Sequence, residues 1–198
     1  MSVGKFIGRN THYRSFKVRI TAELLGLDLE LTPNFKKGTT NKTDDYLAKF
    51  PVGKFPAFVG SDGFTVSDSN AIAYYLAGLK DDSPLLGSTH KENTKIMQYV
   101  LFAESEILQA THAWQKPTQG SLPYFKPAGY LVGDRLTVAD VIMACDLHPL
   151  FTEYLDAHRR QQYPEVTRYF VAMFAQPAFR AIAGDVALCE TPKAYTPK

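Results

Sequence analysis

Hydrophobic and polar positions near the N-terminus predict a strand, a loop and a helix. Residues 3–7 form a short apolar run, and residues 8–13 are polar enough for a loop. Phe16, Ile20 and Leu24 then recur at the spacing of one helical face. The chain therefore opens with a strand that leads through a loop into an amphipathic helix.

A second strand is predicted directly after this helix. Gly26 is suited to end the helix, because glycine readily adopts the left-handed conformation found at helix C-termini. Leu27, Leu29 and Leu31 then alternate with acidic residues, which is the period-two pattern of a half-buried strand, and Pro33 ends it. A strand–helix–strand unit favours parallel pairing of its two strands with a right-handed crossover.

The next segment predicts a short helix, a hairpin and a further helix. The short helix covers residues 43–50, and the β-prone runs 55–59 and 64–66 flank turn residues. The further helix has one apolar face, formed by Ile72, Tyr75, Leu76 and Leu79.

Residues 80–89 contain the acidic, proline and glycine residues that are typical of a linker. We therefore place a first domain at residues 1–80 and a second at residues 90–198.

The second domain has a helical pattern throughout. An alternating four–three apolar stripe predicts a long helix packed against another, and it consists of Ile96, Val100, Ala103, Ile107, Ala110 and Trp114. Residues 137–140 (TVAD) match a capping box, in which Thr137 and Asp140 begin a helix by exchanging hydrogen bonds. A last helix is predicted from near Pro164 to just before Pro177. The fold class is thus an α/β domain followed by an all-α domain.

Composition excludes several classes of protein. The net charge is only +2, from 22 basic and 20 acidic residues, so charge gives no reason to expect a nucleic-acid or membrane partner. Two cysteines among 198 residues fit a reducing compartment, and we expect the protein in the cytoplasm. The sequence has no secretory signal, no membrane span and no histidine spacing for a metal.

Three motifs resemble one known family in their order and spacing. Residues 50–58 (FPVGKFPAF) and 68–76 (DSNAIAYYL) resemble the glutathione-binding half of glutathione transferases. Residues 131–140 (LVGDRLTVAD) resemble the capped core helix of the second domain of that family. The resemblance implies a thioredoxin-like first domain, an all-helical second domain and a homodimer. Glutathione would be a substrate or ligand, with no other cofactor.

The start of the helix after the hairpin is the predicted glutathione site. A helix N-terminus with Ser69 suits the carboxylate of the γ-glutamyl group, and Asp68 suits its ammonium. The alternative is that Asp68 or Ser69 only caps the helix. We also predict a cis bond between Phe55 and Pro56, which by resemblance turns the main chain of Phe55 toward the peptide ligand.

Three polar residues are candidates for contacts with the glycyl carboxylate of glutathione. They are Asn41, Lys42 and Lys54, and a role as solvated surface residues explains them equally well.

Catalysis would need a group that stabilises the ionised thiol of glutathione, supplied by the loop after the first strand. By resemblance, Asn10 and Thr11 lie nearest the position where transferases carry tyrosine, serine or cysteine. Neither residue matches those types. The chain also lacks a Cys-x-x-Cys motif, which excludes a thioredoxin-type oxidoreductase.

Further motifs are similar to the transferase-like domains of the elongation factor 1-gamma family. These are residues 69–75, 102–107 (FAESEI), 176–180 (QPAFR) and 188–190 (LCE). The resemblance implies a scaffold that binds glutathione and the exchange-factor subunits of the elongation factor 1 complex. The alternative is a cytosolic glutathione transferase that conjugates glutathione to electrophiles. Residues 191–198 look like the start of a linker, and continuation into a further domain would favour the scaffold.

The chain departs from the family pattern in one place. Where such second domains have another long helix, residues 115–129 form only a proline-rich connection. Either a core helix has been lost, which would expose the apolar stripe, or a segment is missing between Ala128 and Gly129. We favour the second explanation, which predicts a Cα separation there far above the roughly 3.8 Å of a trans peptide.

Overall fold

Two compact units make up the chain. The computed structural model describes residues 2–108 and 129–193, and it divides the chain into Met1–Leu86 and Gly87–Lys198. The division lies within the stretch that the sequence predicted to be a linker, residues 80–89.

The first unit is a small sheet with helices. Its strands and helices are β1 (Gly4–Ile7), α1 (Tyr13–Leu25), β2 (Leu29–Leu31), α2 (Asp44–Lys49), β3 (Ala57–Gly60), β4 (Thr65–Ser67) and α3 (Ser69–Ala77). A 3₁₀ turn at Thr40–Lys42 precedes α2. The strand order is β2–β1–β3–β4. β1 pairs in parallel with β2, as predicted, and β3 pairs antiparallel with β1 and β4.

Apolar side chains from the sheet, α1 and α3 form the core of this unit. The buried members are Phe6, Val18, Ala22, Phe58, Ile72 and Leu76. The predicted end of α1 is confirmed, because Gly26 adopts a left-handed φ of 60° and its N–H bonds to the carbonyls of the last turn. Thr43 begins α2 by accepting a hydrogen bond from the Tyr46 N–H.

The second unit is helical in the residues described. Its helices are α4 (His90–Phe102), a π-helical segment (Ala103–Leu108), α5 (Val138–Glu153), α6 (Ala157–Arg160), α7 (Pro164–Phe174) and α8 (Pro177–Ala183). The first ten residues of α5 are buried, so this helix is the centre of the unit. Aromatic rings fill the space beside it, with Phe151 and Phe170 stacked at 4.4 Å between ring centroids.

The predicted capping box begins α5, with a buried carboxylate at its centre. Asp140 accepts hydrogen bonds from the Thr137 N–H at 2.9 Å, the Leu131 N–H at 2.8 Å and the Tyr169 hydroxyl at 3.1 Å. Burial raises the pKa of Asp140, and the hydrogen bonds from Leu131, Thr137 and Tyr169 oppose that shift. One carboxylate thus joins the connection before α5, the start of α5 and α7.

Several predictions about elements were wrong. Leu79 lies outside α3 and is 38% exposed, because the helix ends at Ala77. The regular helix α4 ends at Phe102 and continues as a π-helical segment, although Ile96, Val100, Ala103 and Ile107 of the predicted stripe are all buried. Residues 164–174 are not the last helix, because Pro177 opens another one, as proline can at a first helical position.

Other predictions lie outside the described residues. They are the positions of Ala110 and Trp114 in the long helix, the break between Ala128 and Gly129, and the final residues of the tail. Among the described residues, no helix has both the length and the apolar character needed to cross a membrane.

We expect Asp140→Ala to lower the free energy of unfolding by about 3 kcal/mol, because the substitution leaves several buried donors without their acceptor. Chemical denaturation followed by far-UV circular dichroism measures the change. Asp134→Ala is the matched control, since Asp134 is exposed and its removal should change stability by less than about 0.5 kcal/mol. Equal losses in the two variants would contradict the role assigned to Asp140.

Candidate functional site

Sheet register brings three separate segments to one end of the first unit. Ile7 pairs with Ala57, and Ala57 pairs with Ser67, so β1 and β4 end where β3 begins. The loop after β1, the residues before β3 and the start of α3 therefore meet at this end of the sheet. A Cβ atom built on Gly8 would lie 3.2 Å from the Cβ of Pro56, which shows how closely two of the segments approach.

The loop after β1 contains both residues predicted to be catalytic. Asn10 is half-buried, and its main-chain carbonyl oxygen accepts a hydrogen bond of 2.8 Å from the side chain of Arg19 on α1. Burial lowers the pKa of Arg19, and nearby Glu23 opposes that shift. Thr11 is exposed, and His12 caps α1 by accepting the Arg14 N–H at 3.3 Å.

The start of α3 contains the pair predicted to hold the γ-glutamyl group. Asp68 caps the helix, because its carboxylate accepts the N–H groups of Asn70 at 2.8 Å and Ala71 at 3.2 Å. Its φ of 81° is uncommon outside glycine. Ser69 is fully buried, and in the part of the chain that the structure describes its hydroxyl has no hydrogen-bond partner. A contact of either residue with glutathione stays a prediction.

Sequence reasoning missed a buried polar contact between α1 and α3. Lys17 is fully buried, and its ammonium donates a 2.7 Å hydrogen bond to the side-chain oxygen of Asn70. The available signal was the position of Lys17 beside Phe16 in the apolar stripe, with another polar residue, Thr21, one turn further along. Because 53 residues separate the partners, the sequence pattern did not reveal that they meet.

Buried polar groups without partners are concentrated at this end of the first unit. Within residues 2–86, three side-chain oxygens are buried and lack a hydrogen bond, and they belong to Asn10, Ser15 and Ser69. These residues lie in the loop after β1, in the first turn of α1 and in the first turn of α3. Buried polar atoms without hydrogen bonds cost free energy, so each such atom in a folded protein needs an explanation. A polar ligand that bound them would remove that cost.

The residues before β3 are held by the segment containing α2. The peptide bond between Phe55 and Pro56 is cis, as predicted. Asn41 donates to the Gly53 carbonyl at 2.6 Å, and its side-chain oxygen accepts the Gly38 N–H at 2.7 Å. Because these contacts occupy most of the carboxamide of Asn41, its predicted contact with a ligand could use only the remaining N–H.

The same segment contains the two lysines predicted to contact the ligand and a tyrosine that the sequence analysis did not single out. Lys42 and Lys54 are both exposed, so each ammonium is accessible to an anionic ligand. The buried Tyr46 donates its hydroxyl hydrogen to the carbonyl of Lys54. Burial raises the pKa of Tyr46 to about 12, so the hydroxyl stays a donor at neutral pH.

The arrangement suits recognition of a small polar molecule. It offers hydroxyl groups, a helix N-terminus and exposed lysines at one end of a sheet, which are suitable contacts for carboxylates. No group of histidine, cysteine and acidic side chains among the described residues could hold a metal ion.

Comparisons with known proteins identify both parts of the chain. Residues 1–78 match the family model of the glutathione S-transferase N-terminal domain, and residues 80–177 match that of the C-terminal domain. The chain is 36% identical to elongation factor 1-gamma of Artemia salina over 220 aligned positions, covering 100% of the chain and 50% of the relative. The human elongation factor 1-gamma is 36% identical over 215 positions, covering 96% of the chain and 48% of the relative.

The chain thus spans about half the length of the curated relatives it matches. The alignment with the Artemia protein is 22 positions longer than the 198 residues of the chain. The relative therefore has at least that many residues without a counterpart in this chain.

Solved structures share the fold. The transferase-like domain of elongation factor 1-gamma from Saccharomyces cerevisiae matches with a TM-score of 0.75 and 20% identity, over 98% of this chain and 100% of that one. A glutathione transferase from Phanerochaete chrysosporium in complex with oxidized glutathione matches with a TM-score of 0.76 and 19% identity, over 91% and 94%.

The contribution of Tyr46 to stability should depend on pH. Its pKa is raised from 10.0 to about 12, so between these values the unfolded chain loses the phenolic proton while the folded chain keeps it. The free energy of unfolding then falls as pH rises. We expect the stability of the wild type relative to Tyr46→Phe to decrease by about 2 kcal/mol between pH 9 and 12. Urea denaturation of both proteins across this range measures the difference, and a constant difference would contradict the buried, protonated state.

Proposed function

The chain belongs to the glutathione S-transferase superfamily, and from that premise we propose that it is a transferase-like domain of the elongation factor 1-gamma type. In this role it binds glutathione and serves as a scaffold for the exchange-factor subunits of the elongation factor 1 complex. The observation that carries the proposal is 36% identity to elongation factor 1-gamma across the whole chain. We also propose that it works in the cytoplasm as a homodimer, without binding nucleic acid directly.

Glutathione binding is supported by the groups at the end of the sheet. A carboxylate next to an ammonium describes the γ-glutamyl end of the tripeptide. The start of α3 offers the Ser69 hydroxyl, which lacks a partner among residues 2–108, and the exposed carboxylate of Asp68 for the ammonium. The glycyl carboxylate at the other end suits Lys42 and Lys54, both exposed.

The scaffold role is favoured over catalysis by the loop after β1. A transferase needs a donor aimed at the sulfur so that the thiol ionises near neutral pH. Asn10 has a carboxamide, whose side-chain oxygen is buried, where transferases have a hydroxyl or thiol, and Thr11 is exposed on the loop. Neither arrangement gives the sulfur a buried hydroxyl or thiol.

A cytosolic glutathione transferase is the second candidate function. One observation favours it: the Ser15 hydroxyl is buried in the first turn of α1 and has no hydrogen-bond partner within the described part of the unit. A ligand sulfur near that turn would give the hydroxyl an acceptor. The second candidate does not exclude the first, because a scaffold can keep affinity for glutathione and weak activity.

Calorimetric titration with glutathione tests the site. We expect Ser69→Ala to weaken binding roughly tenfold, because a hydrogen bond to a charged carboxylate is lost. The ligand-free variant should be as stable as the wild type or slightly more so, since an unsatisfied hydroxyl is removed. Ser67→Ala, an exposed position two residues earlier, is the matched control and should bind normally. Unchanged binding by Ser69→Ala would show that the site is misplaced.

An assay of glutathione conjugation to a chromogenic electrophile separates the two functions. We expect turnover close to the uncatalysed rate, because neither Asn10 nor Thr11 offers the sulfur a buried hydroxyl or thiol. Turnover well above that rate, reduced at least tenfold by combined Asn10→Ala and Thr11→Ala substitution, would instead favour the enzyme.

Co-purification with the exchange-factor subunits tests the scaffold role. We expect the chain to form a stable complex with a purified exchange-factor subunit of an elongation factor 1 complex in size-exclusion chromatography. Separate elution of the two proteins at micromolar concentrations would count against the scaffold.

A further inference from the structure

The main chain of Phe55 is an unpaired peptide edge at the candidate site. In the part of the chain that the structure describes, neither the N–H nor the carbonyl of Phe55 makes a hydrogen bond. Regular pairing of β3 with its two neighbours begins only at Ala57. Pro56 has no N–H, so Phe55 supplies the donor nearest the sheet on this segment. An extended ligand can pair with such an edge as an added strand does.

The conformation of Phe55 itself favours this use. A residue that precedes proline is restricted to extended backbone conformations, which are those of a strand edge. Its half-buried ring packs against Phe35, with 4.7 Å between the ring centroids. The side chain is thereby held while the main-chain groups stay unpaired.

The two residues before Phe55 are fixed by side chains from another segment. Asn41, in the 3₁₀ turn, donates to the carbonyl of Gly53 at 2.6 Å, and Tyr46, on α2, donates to the carbonyl of Lys54. Both side chains are at least 95% buried, so water competes little for these hydrogen bonds. Two consecutive carbonyls are therefore each held by a buried side chain.

Both donors are themselves held in place. The side-chain oxygen of Asn41 accepts the Gly38 N–H at 2.7 Å, and the Tyr46 ring packs against Phe50 at 5.1 Å between centroids. The Gly53 N–H donates a hydrogen bond of 2.9 Å to the carbonyl of Phe50, the residue that follows α2. Gly53 is therefore also held by the end of α2. The hydrogen bonds from Asn41 and Tyr46 thus connect the 3₁₀ turn and α2 to the two residues before Phe55.

We propose that Asn41 and Tyr46 are positioning residues that set the orientation of the Phe55 main chain for pairing with a peptide ligand. This inference rests on the proposed binding of glutathione. It gives Asn41 an indirect role through Gly53, in place of direct contact with the ligand. Tyr46 acts in the same way on the next peptide group, through Lys54.

The experiment compares glutathione affinity with protection of the Phe55 amide. Calorimetry gives the dissociation constants of the wild type, Tyr46→Phe, Asn41→Ala and the double variant. The temperature is one at which circular dichroism shows that all four proteins are folded. Hydrogen exchange followed by NMR gives the protection that saturating glutathione adds at the Phe55 N–H. Tyr99→Phe is the matched control, because the Tyr99 hydroxyl makes no hydrogen bond in the described part of the chain.

We expect Tyr46→Phe and Asn41→Ala each to weaken glutathione binding about fivefold, with less ligand-induced protection at Phe55. The double variant should lose less than the product of the two effects, because both side chains hold one short segment. A merely structural role would lower the melting temperature and leave affinity and Phe55 protection unchanged, and that result overturns the inference. If the wild type neither binds glutathione nor gains protection at Phe55, the proposed function fails and this inference falls with it.

Discussion

The pairing of β3 between β1 and β4 is the constraint on which the candidate site depends. Because Ile7, Ala57 and Ser67 lie side by side, the loop after β1, the segment before β3 and the start of α3 share one end of the sheet. A register shift of one residue would turn buried Phe58 toward the opposite face. The core of the unit therefore enforces the same register that assembles the site.

Much of the fold could be predicted because, at several helix ends, the local sequence favours the same conformation that the tertiary structure requires. The left-handed Gly26 after α1 and the capping box at Thr137 and Asp140 are features of single segments, so the sequence reveals them. The change to π-helical hydrogen bonding at Ala103 could not be read in this way. Its apolar residues keep a helical spacing, and only the hydrogen-bonding pattern reveals the extra residue in the turn.

The candidate site was predictable only in part, for a related reason. Ser69 and Pro56 stand in short motifs whose geometry is mostly local, and the cis bond before Pro56 was predicted correctly. Lys17 and Tyr46 act through partners that other segments supply, so their roles depend on the completed fold. Asn41 was singled out from the sequence as a ligand contact, although most of its hydrogen-bonding capacity is used within the protein.

The hydrogen bonds at the site separate polar groups that have partners within the protein from polar groups that have none among the described residues. Asn41 and Tyr46 satisfy the carbonyls of Gly53 and Lys54, so the two residues before Phe55 have their carbonyls paired without a ligand, while the main chain of Phe55 stays unpaired in the part of the chain that the structure describes. Across the sheet end, the buried oxygens of Asn10 and Ser69 lack partners within residues 2–108, and that deficit lowers the stability of the ligand-free unit. A bound ligand would give the oxygens of Asn10 and Ser69 hydrogen-bond partners. The same ligand would pair with the main chain of Phe55 on the neighbouring segment. Such a division lets a small domain bind selectively without a large rearrangement.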